Sequence, residues 1–198
     1  MIAVIDSCGS NMTSVLFALQ RMGVESILTS CQKEITRADK VILPGVGASD
    51  HAIARLKEDN LIECITALTQ PVLGICVGMQ LLFSYSEEGE SSLLDIIPGT
   101  IRHFTPEPKK AIPHMGWNNV KLAENNHPLI KDIPENSYFY FVHSYFPPVS
   151  ELTIGECEYG ECFAAIVAKE NFMGCQFHPE RSSQNGAQIL KNFVELSL

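Results

Sequence analysis

Positive charge is scarce in this sequence: 14 Lys and Arg stand against 23 Asp and Glu, a formal net charge of -9 at pH 7. That balance excludes a nucleic-acid binder, which needs a concentrated basic footprint. The densest basic spot, Lys109-Lys110, lies among Pro106, Pro108 and Pro113. It reads as a solvated loop, with a phosphate-attracting or partner-facing patch as the other reading. Long apolar runs are also missing, and none approaches the ~18 residues that span a bilayer. The first ten residues carry neither a basic segment nor a long apolar one, so no secretory signal is expected. There is no CxxC pair, which argues against zinc and thioredoxin-type chemistry. The seven cysteines are odd in number and scattered, and most read as reduced, small apolar residues of a cytoplasmic protein. Repeats, low-complexity tracts and linkers are absent, so 198 residues at 45% hydrophobic content suit a single domain over 1–198.

What is present divides into two halves. In the first, residues 1–6 (MIAVID) form a short apolar run, and residues 11–22 place Val15, Leu16, Leu19 and Met22 at helical spacing. Residues 24–28 and 40–43 read as strands, the second entering the loop signal Pro44-Gly45-Val46-Gly47. Asp50 is expected to cap a helix with Ile53, Leu56 and Leu61 on one face. Residues 71–75 (PVLGI) are apolar without alternation, as a parallel strand covered on both faces requires, and a short helix is expected over 78–83. Alternating strands and helices predict an α/β fold with an open, doubly wound, mostly parallel sheet. In the second half, 84–92 reads as a polar loop, followed by β-like runs at 99–104, 118–122, 137–142 and 152–159. Residues 163–168 and 172–177 read as a hairpin joined by Lys169-Glu170-Asn171, and 184–196 as a closing helix.

The strongest chemical signal is Gly74-Ile75-Cys76-Val77-Gly78, a nucleophile-elbow pattern with Cys in place of Ser. In such a turn, side chains at the flanking positions would collide, which explains the glycines. The turn also sets the sulfur at a helix start, where free N–H groups favour thiolate. The bland alternative is a buried structural Cys beside two packing glycines. A Cys nucleophile needs a base and the base an orienting group. Phe177-His178-Pro179-Glu180 offers both: in an extended segment His178 and Glu180 point the same way. The alternative there is a strand-end turn with a surface His and Glu. His143 ends a strand and could line a site, whereas His51, His103, His114 and His127 read as structural or solvated. For a developing oxyanion the Val77 amide is the natural first donor, and the Pro44-to-Gly47 loop could supply a second.

PGVG, GICVGMQLLF and QFHPE, in this order, resemble the triad-type (class I) glutamine amidotransferase family over nearly the whole chain. PHMGWN (113–118), YFYFVHSY (138–145) and HPERS (178–182) are most similar to the glutaminase subunits of imidazole glycerol phosphate synthases. The resemblance implies a flavodoxin-like sheet with added antiparallel strands. It also implies that Cys76 attacks the glutamine side-chain amide to form a thioester, that His178 shuttles the proton and that Glu180 orients His178. The Val46 and Val77 amides would form the oxyanion hole, and Gly47, Gln80, Glu88 and backbone at His143, Ser144 and Tyr145 would hold glutamine. No cofactor or metal is implied. The implied partner is a (β/α)8-barrel cyclase subunit, which receives ammonia in histidine biosynthesis. Low activity of the isolated chain is expected, with the Pro44-to-Gly47 loop as the control point because its glycines permit a peptide flip. The chain departs from the family pattern at Asp6-Ser7-Cys8-Gly9-Ser10-Asn11, where Ser7 and Cys8 replace the commoner residues, so this loop is given no binding role. Arg181 stands where Lys is common. Rival readings are a glutaminase serving a chorismate-using synthase, a non-catalytic regulatory subunit on the same fold, and a cysteine peptidase.

Overall fold

The structure, a computed structural model, describes residues 1–6, 12–106, 108, 110–123 and 127–197. The unusual first loop from Ser7 to Asn11, and Lys109, lie outside the described residues. In chain order the elements are β1 (Ile2–Ile5), α1 (Met12–Arg21), β2 (Ser26–Thr29), α2 (Gln32–Arg37), β3 (Lys40–Gly45), α3 (Ser49–Glu58) and α4 (Ile62–Thr66). Then follow β4 (Val72–Cys76), α5 (Val77–Gln80), β5 (Phe83–Ser86), β6 (Ser91–Ser92), β7 (Ile97–His103), β8 (His114–Leu122) and β9 (Ser137–His143). The chain ends with β10 (Tyr145–Phe146), β11 (Thr153–Tyr159), β12 (Glu161–Lys169), β13 (Phe172–Cys175) and α6 (Ser183–Glu195).

One nine-stranded sheet runs in the order β2-β1-β3-β4-β13-β12-β11-β8-β9. The pairings from β2 through β13 are parallel, and those from β13 to β9 are antiparallel. The unbroken burial of β1 and β4 explains why both are apolar without alternation: each is covered on two faces. By contrast β9 alternates buried and less buried positions, with Phe139 and Phe141 inward and Tyr138 outward. The β12–β13 hairpin forms as its turn residues predict, with Lys169 paired to Phe172 and Glu170 in a positive-φ conformation. In α6 the buried stripe is Ile189, Leu190 and Phe193.

Two sequence expectations are corrected. Asp50 does not cap a helix: α3 starts one residue earlier, and the Asp50 carboxylate accepts from the neighbouring His51 amide. The Ser49 amide at the helix start is instead taken by Glu88 Oε2 at 2.7 Å, an acceptor supplied from 39 residues away. Leu61 lies beyond α3, though it is fully buried. The second correction concerns residues 83–92, expected as a helix end and a polar loop. Phe83–Ser86 is a strand, held by pairing with β7 in a separate sheet of order β10-β7-β5-β6. Ser91–Ser92 is a second short strand, antiparallel to it, and the pairing with β7 overrides the local polarity from which a loop was expected.

The carboxyl ends of β3, β4, β13 and β9 converge. Register pairs Gly45 with Cys76 and Ile75 with Cys175, which places Gln176 beside Cys76. A ligand crevice is expected at such strand ends in open α/β sheets.

Candidate active site

Cys76 ends β4 and immediately precedes α5. Its backbone has φ 54° and ψ -111°, a region that non-glycine residues seldom occupy and that costs roughly 1–3 kcal/mol. Close packing imposes the conformation. A Cβ on Gly78 would lie 1.8 Å from the Leu43 carbonyl oxygen, and one on Gly74 would lie 2.6 Å from the Gly78 carbonyl oxygen. The two glycines therefore let the first turn of α5 press directly on β3 and β4, which tips the Cys76 side chain toward the crevice.

His178 and Glu180 do not sit in an extended segment. Pro179–Arg181 is a single 3-10 turn. The pair still meets, His178 Nδ1 lying 2.9 Å from Glu180 Oε1, with both side chains almost wholly buried. The turn is pinned from outside: the His178 amide donates to Tyr140 O at 2.9 Å, and Ser182 Oγ donates to His178 O at 2.7 Å. Burial alone would lower the His178 pKa. Hydrogen bonds to Cys76 and Glu180, and the charges of those groups, outweigh burial and raise it to about 10. The neighbouring carboxylate thus favours the charged form of the imidazole.

These groups face a cavity of about 340 Å³, a size suited to a small-molecule ligand. Of the residues singled out in the sequence, Val46, Gly47, Cys76, Val77, Gln80, Glu88, His143, Ser144, Tyr145 and His178 line it. Glu180 does not line it and stands behind His178. Pro113 and Val142 also line it, and sequence reasoning passed over both. One end of the cavity is acidic. The Tyr145 phenol is raised by burial and then by the negative charges of Glu88, Glu87 and Asp50. An ammonium group would be drawn to that end.

Behind the cavity wall runs a buried polar chain. Tyr145 O lies 2.9 Å from Gln80 Nε2 and 2.9 Å from His143 Nδ1. His143 Nε2 is 3.0 Å from His114 Nδ1, and His114 Nε2 is 3.3 Å from Asn118 Nδ2, which also donates to Glu158 O. Because Tyr145 O only accepts, His143 carries its proton on Nδ1 and accepts from His114, which accepts from Asn118. Both rings are therefore neutral. Burial pushes His143 down to about 3 and His114 down to about 4. The structural reading of His114 stands, but its partner is a wall of the site. His127 caps a 3-10 turn, accepting from the Leu129 amide. In the other direction Gln80 Nε2 lies 3.0 Å from Gln176 Oε1, and Gln176 Nε2 lies 3.7 Å from Cys76 Sγ. Gln176 was passed over too, although its place as an amide in an otherwise apolar strand end was a visible signal. Among the described residues, no group of three or more His, Cys, Asp and Glu could hold a metal ion, and no helix is long and apolar enough to cross a membrane.

Comparison with known proteins gives the family of the chain and relates its fold to solved structures. The family model described as glutamine amidotransferase class-I matches residues 3–196. A curated relative from Haemophilus influenzae, imidazole glycerol phosphate synthase subunit HisH, is 49% identical over 194 residues, covering 98% of this chain and 96% of its own. The protein of the same name from Xylella fastidiosa is 47% identical over 195 residues, covering 98% and 97%. Among solved structures, a glutamine amidotransferase superposes with TM-score 0.75 at 14% identity, covering 98% of this chain and 97% of that one. PurLQS from Thermotoga maritima superposes with TM-score 0.73 at 16% identity, covering 98% and 96%. At these identities the structural likeness concerns the fold.

Proposed function

Because this chain belongs to the glutamine amidotransferase class-I family, we propose that it hydrolyses glutamine to glutamate and ammonia as the glutaminase subunit of an imidazole glycerol phosphate synthase, in histidine biosynthesis. The observation that carries the chemistry is the buried His178–Glu180 pair, joined at 2.9 Å, with His178 and Cys76 lining one cavity. In this reading the Cys76 thiolate attacks the side-chain amide carbon of glutamine, and the carbonyl electrons move onto oxygen. The Val46 and Val77 amides receive that oxyanion. His178 gives its proton to the departing nitrogen, the C–N bond breaks, and a thioester remains. Water then adds to the thioester carbon and returns a proton to His178. The C–S bond breaks and the thiolate is restored. Glu180 holds the imidazole ring in position and stabilises its charged form. Gly47, Gln80, Glu88 and the backbone at His143, Ser144 and Tyr145 hold the substrate, its ammonium group toward Glu88. With both Nε2 hydrogens engaged, Gln80 offers the ligand its carbonyl oxygen alone.

The proposed partner is a (β/α)8-barrel cyclase subunit, forming a heterodimer and taking the ammonia. The outer face of the β8–β9 hairpin supports a docking role there. Met115, Trp117 and Tyr138 are exposed on it, at 63%, 52% and 57%. Val142 pairs with Met115 and also lines the cavity, so this apolar face reaches the rim of the site. The reading takes residues 1–198 as one glutaminase domain working in the cytoplasm. A glutaminase for a chorismate-using synthase is disfavoured because the relatives at 45–49% identity carry the imidazole glycerol phosphate synthase name.

Glutamate release, measured for the chain alone and with the cyclase subunit and its nucleotide ligand, tests both claims. Expected are a low rate alone, a large increase in the complex, and no hydrolysis by Cys76→Ala, which still binds the partner. Equal rates with and without the cyclase refute the partnership, and hydrolysis by Cys76→Ala refutes the mechanism.

A further inference from the structure

Gln176 has no role in the mechanism above, yet it is wholly buried and in contact with the reacting sulfur. Which end of its amide faces that sulfur is decided far from it. Tyr145 O, a backbone carbonyl, can only accept, so the Gln80 atom 2.9 Å away is its NH2. The second hydrogen of that NH2 points to Gln176 at 3.0 Å, so the Gln176 atom there is oxygen. The NH2 of Gln176 is thereby turned to Cys76 Sγ, 3.7 Å away. Rotating the Gln176 amide would set two donors against each other in a buried site, at the full cost of unmade hydrogen bonds. His143 Nδ1 occupies Tyr145 O from the other side, which keeps the carbonyl from turning away.

Two contacts at Sγ thus favour opposite protonation states. The Val142 carbonyl, 3.9 Å away, can accept from the thiol. Gln176 can donate to the thiolate, and does so from nearer. The other ionisable groups whose charge acts on or is felt from this sulfur are His178, with Glu180 behind it, and Cys175 on β13; His143 on β9 is coupled to His178. Glu88 lines the same cavity.

Resting on the glutaminase reading, we infer that Gln176 is a further catalytic residue, an N–H donor that stabilises the Cys76 thiolate before attack and again as the leaving group of thioester hydrolysis. In that last step the electron pair of the breaking C–S bond returns to Sγ, and the Gln176 N–H meets the charge as it forms. Gln80 is the positioning residue that fixes the donor's direction.

The test is the pH dependence of Cys76 alkylation by iodoacetamide, followed by mass spectrometry of the Cys76 peptide in the full chain. Gln176→Met keeps length and volume and removes the donor. The alkylation rate at neutral pH should fall about tenfold and its pH profile move upward by about one unit, as loss of a hydrogen bond to a charged group requires. In complex with the cyclase, kcat should fall to a similar extent while KM for glutamine stays within about twofold. A folded Gln176→Met with the wild-type alkylation profile overturns the inference. If that variant does not fold, Gln80→Met replaces it, since iodoacetamide needs no glutamine site. The profile should move the same way, and an unmoved one again overturns the inference. Should alkylated wild-type protein still hydrolyse glutamine, it is the glutaminase reading that fails, not the assignment of the donor alone.

Discussion

Gly78→Ala is the sharpest test of how the turn holds Cys76. The added methyl would stand 1.8 Å from Leu43 O and 2.7 Å from Leu43 C. Both are backbone atoms of β3, a strand buried from Val41 to Gly45 and paired on both sides, so no rotamer change relieves the contact. To reach even a tight contact of about 3.0 Å, the start of α5 must retreat by more than about 1 Å. The retreat carries Val77 and the backbone of Cys76 with it. Displacement of reacting groups by about 1 Å costs roughly a hundredfold in rate, or about 2.7 kcal/mol of activation free energy. Overpacking of a well-filled interior costs about 1–3 kcal/mol in stability, and a domain near this size loses roughly 2–4 °C per kcal/mol. The expected outcome is a folded protein melting about 5–10 °C lower, whose partner-stimulated kcat is down about a hundredfold. Differential scanning calorimetry and glutamate release in the complex give the two numbers. A variant with kcat within twofold of wild type would show that the α5–β3 contact does not hold the nucleophile in place.

Three further outcomes are expected. Glu180→Gln exchanges a charge-assisted bond to His178 Nδ1 for a neutral one and should lower kcat about tenfold with KM little changed. The alkaline limb of its rate profile should move to lower pH, and an unmoved limb would rule out the carboxylate as the source of the His178 shift. His143 and His114 have folded pKa values of about 3 and about 4, below the ordinary 6.5. Their contribution to stability is therefore present above pH 6.5 and lost as pH falls toward 4 and 3, because the unfolded chain takes up protons that the fold refuses. Melting temperatures measured from pH 7 down to 4 should fall, and His114→Gln should flatten that fall; an equally steep fall in the variant would remove His114 from the account. Trp117→Ala should weaken cyclase binding at least tenfold by calorimetric titration while leaving the melting temperature of the isolated chain unchanged, since Trp117 is half exposed on the outer face of β8. Unaltered affinity would place the docking surface elsewhere.

The local pattern around Cys76 was legible because the steric demand is local. An apolar strand, two glycines and a following helix describe a strained turn wherever they occur, and Gly74 and Gly78 meet each other across it. The parallel first half and the β12–β13 hairpin were legible for the same reason: burial on two faces and turn chemistry act over a few residues. His178 and Glu180 could be named as a pair, but the reason offered, an extended segment, was replaced by a 3-10 turn pinned to Tyr140 and Ser182. The strand at Phe83–Ser86 and the cap on α3 were out of reach, since the strand is held against β7 in a separate sheet and the cap comes from Glu88, 39 residues from Ser49.

What the sequence by itself determined is the glycine-lined turn that carries Cys76, the pairing of His178 with Glu180 and the class of sheet that holds them. What only the tertiary structure decided is how these groups are wired together. Tyr145 O dictates the tautomer of His143 and the direction of the Gln80 and Gln176 amides. A hydrogen-bond chain has a polarity, and that polarity is set at its end, by a backbone carbonyl whose position in space depends on the whole sheet.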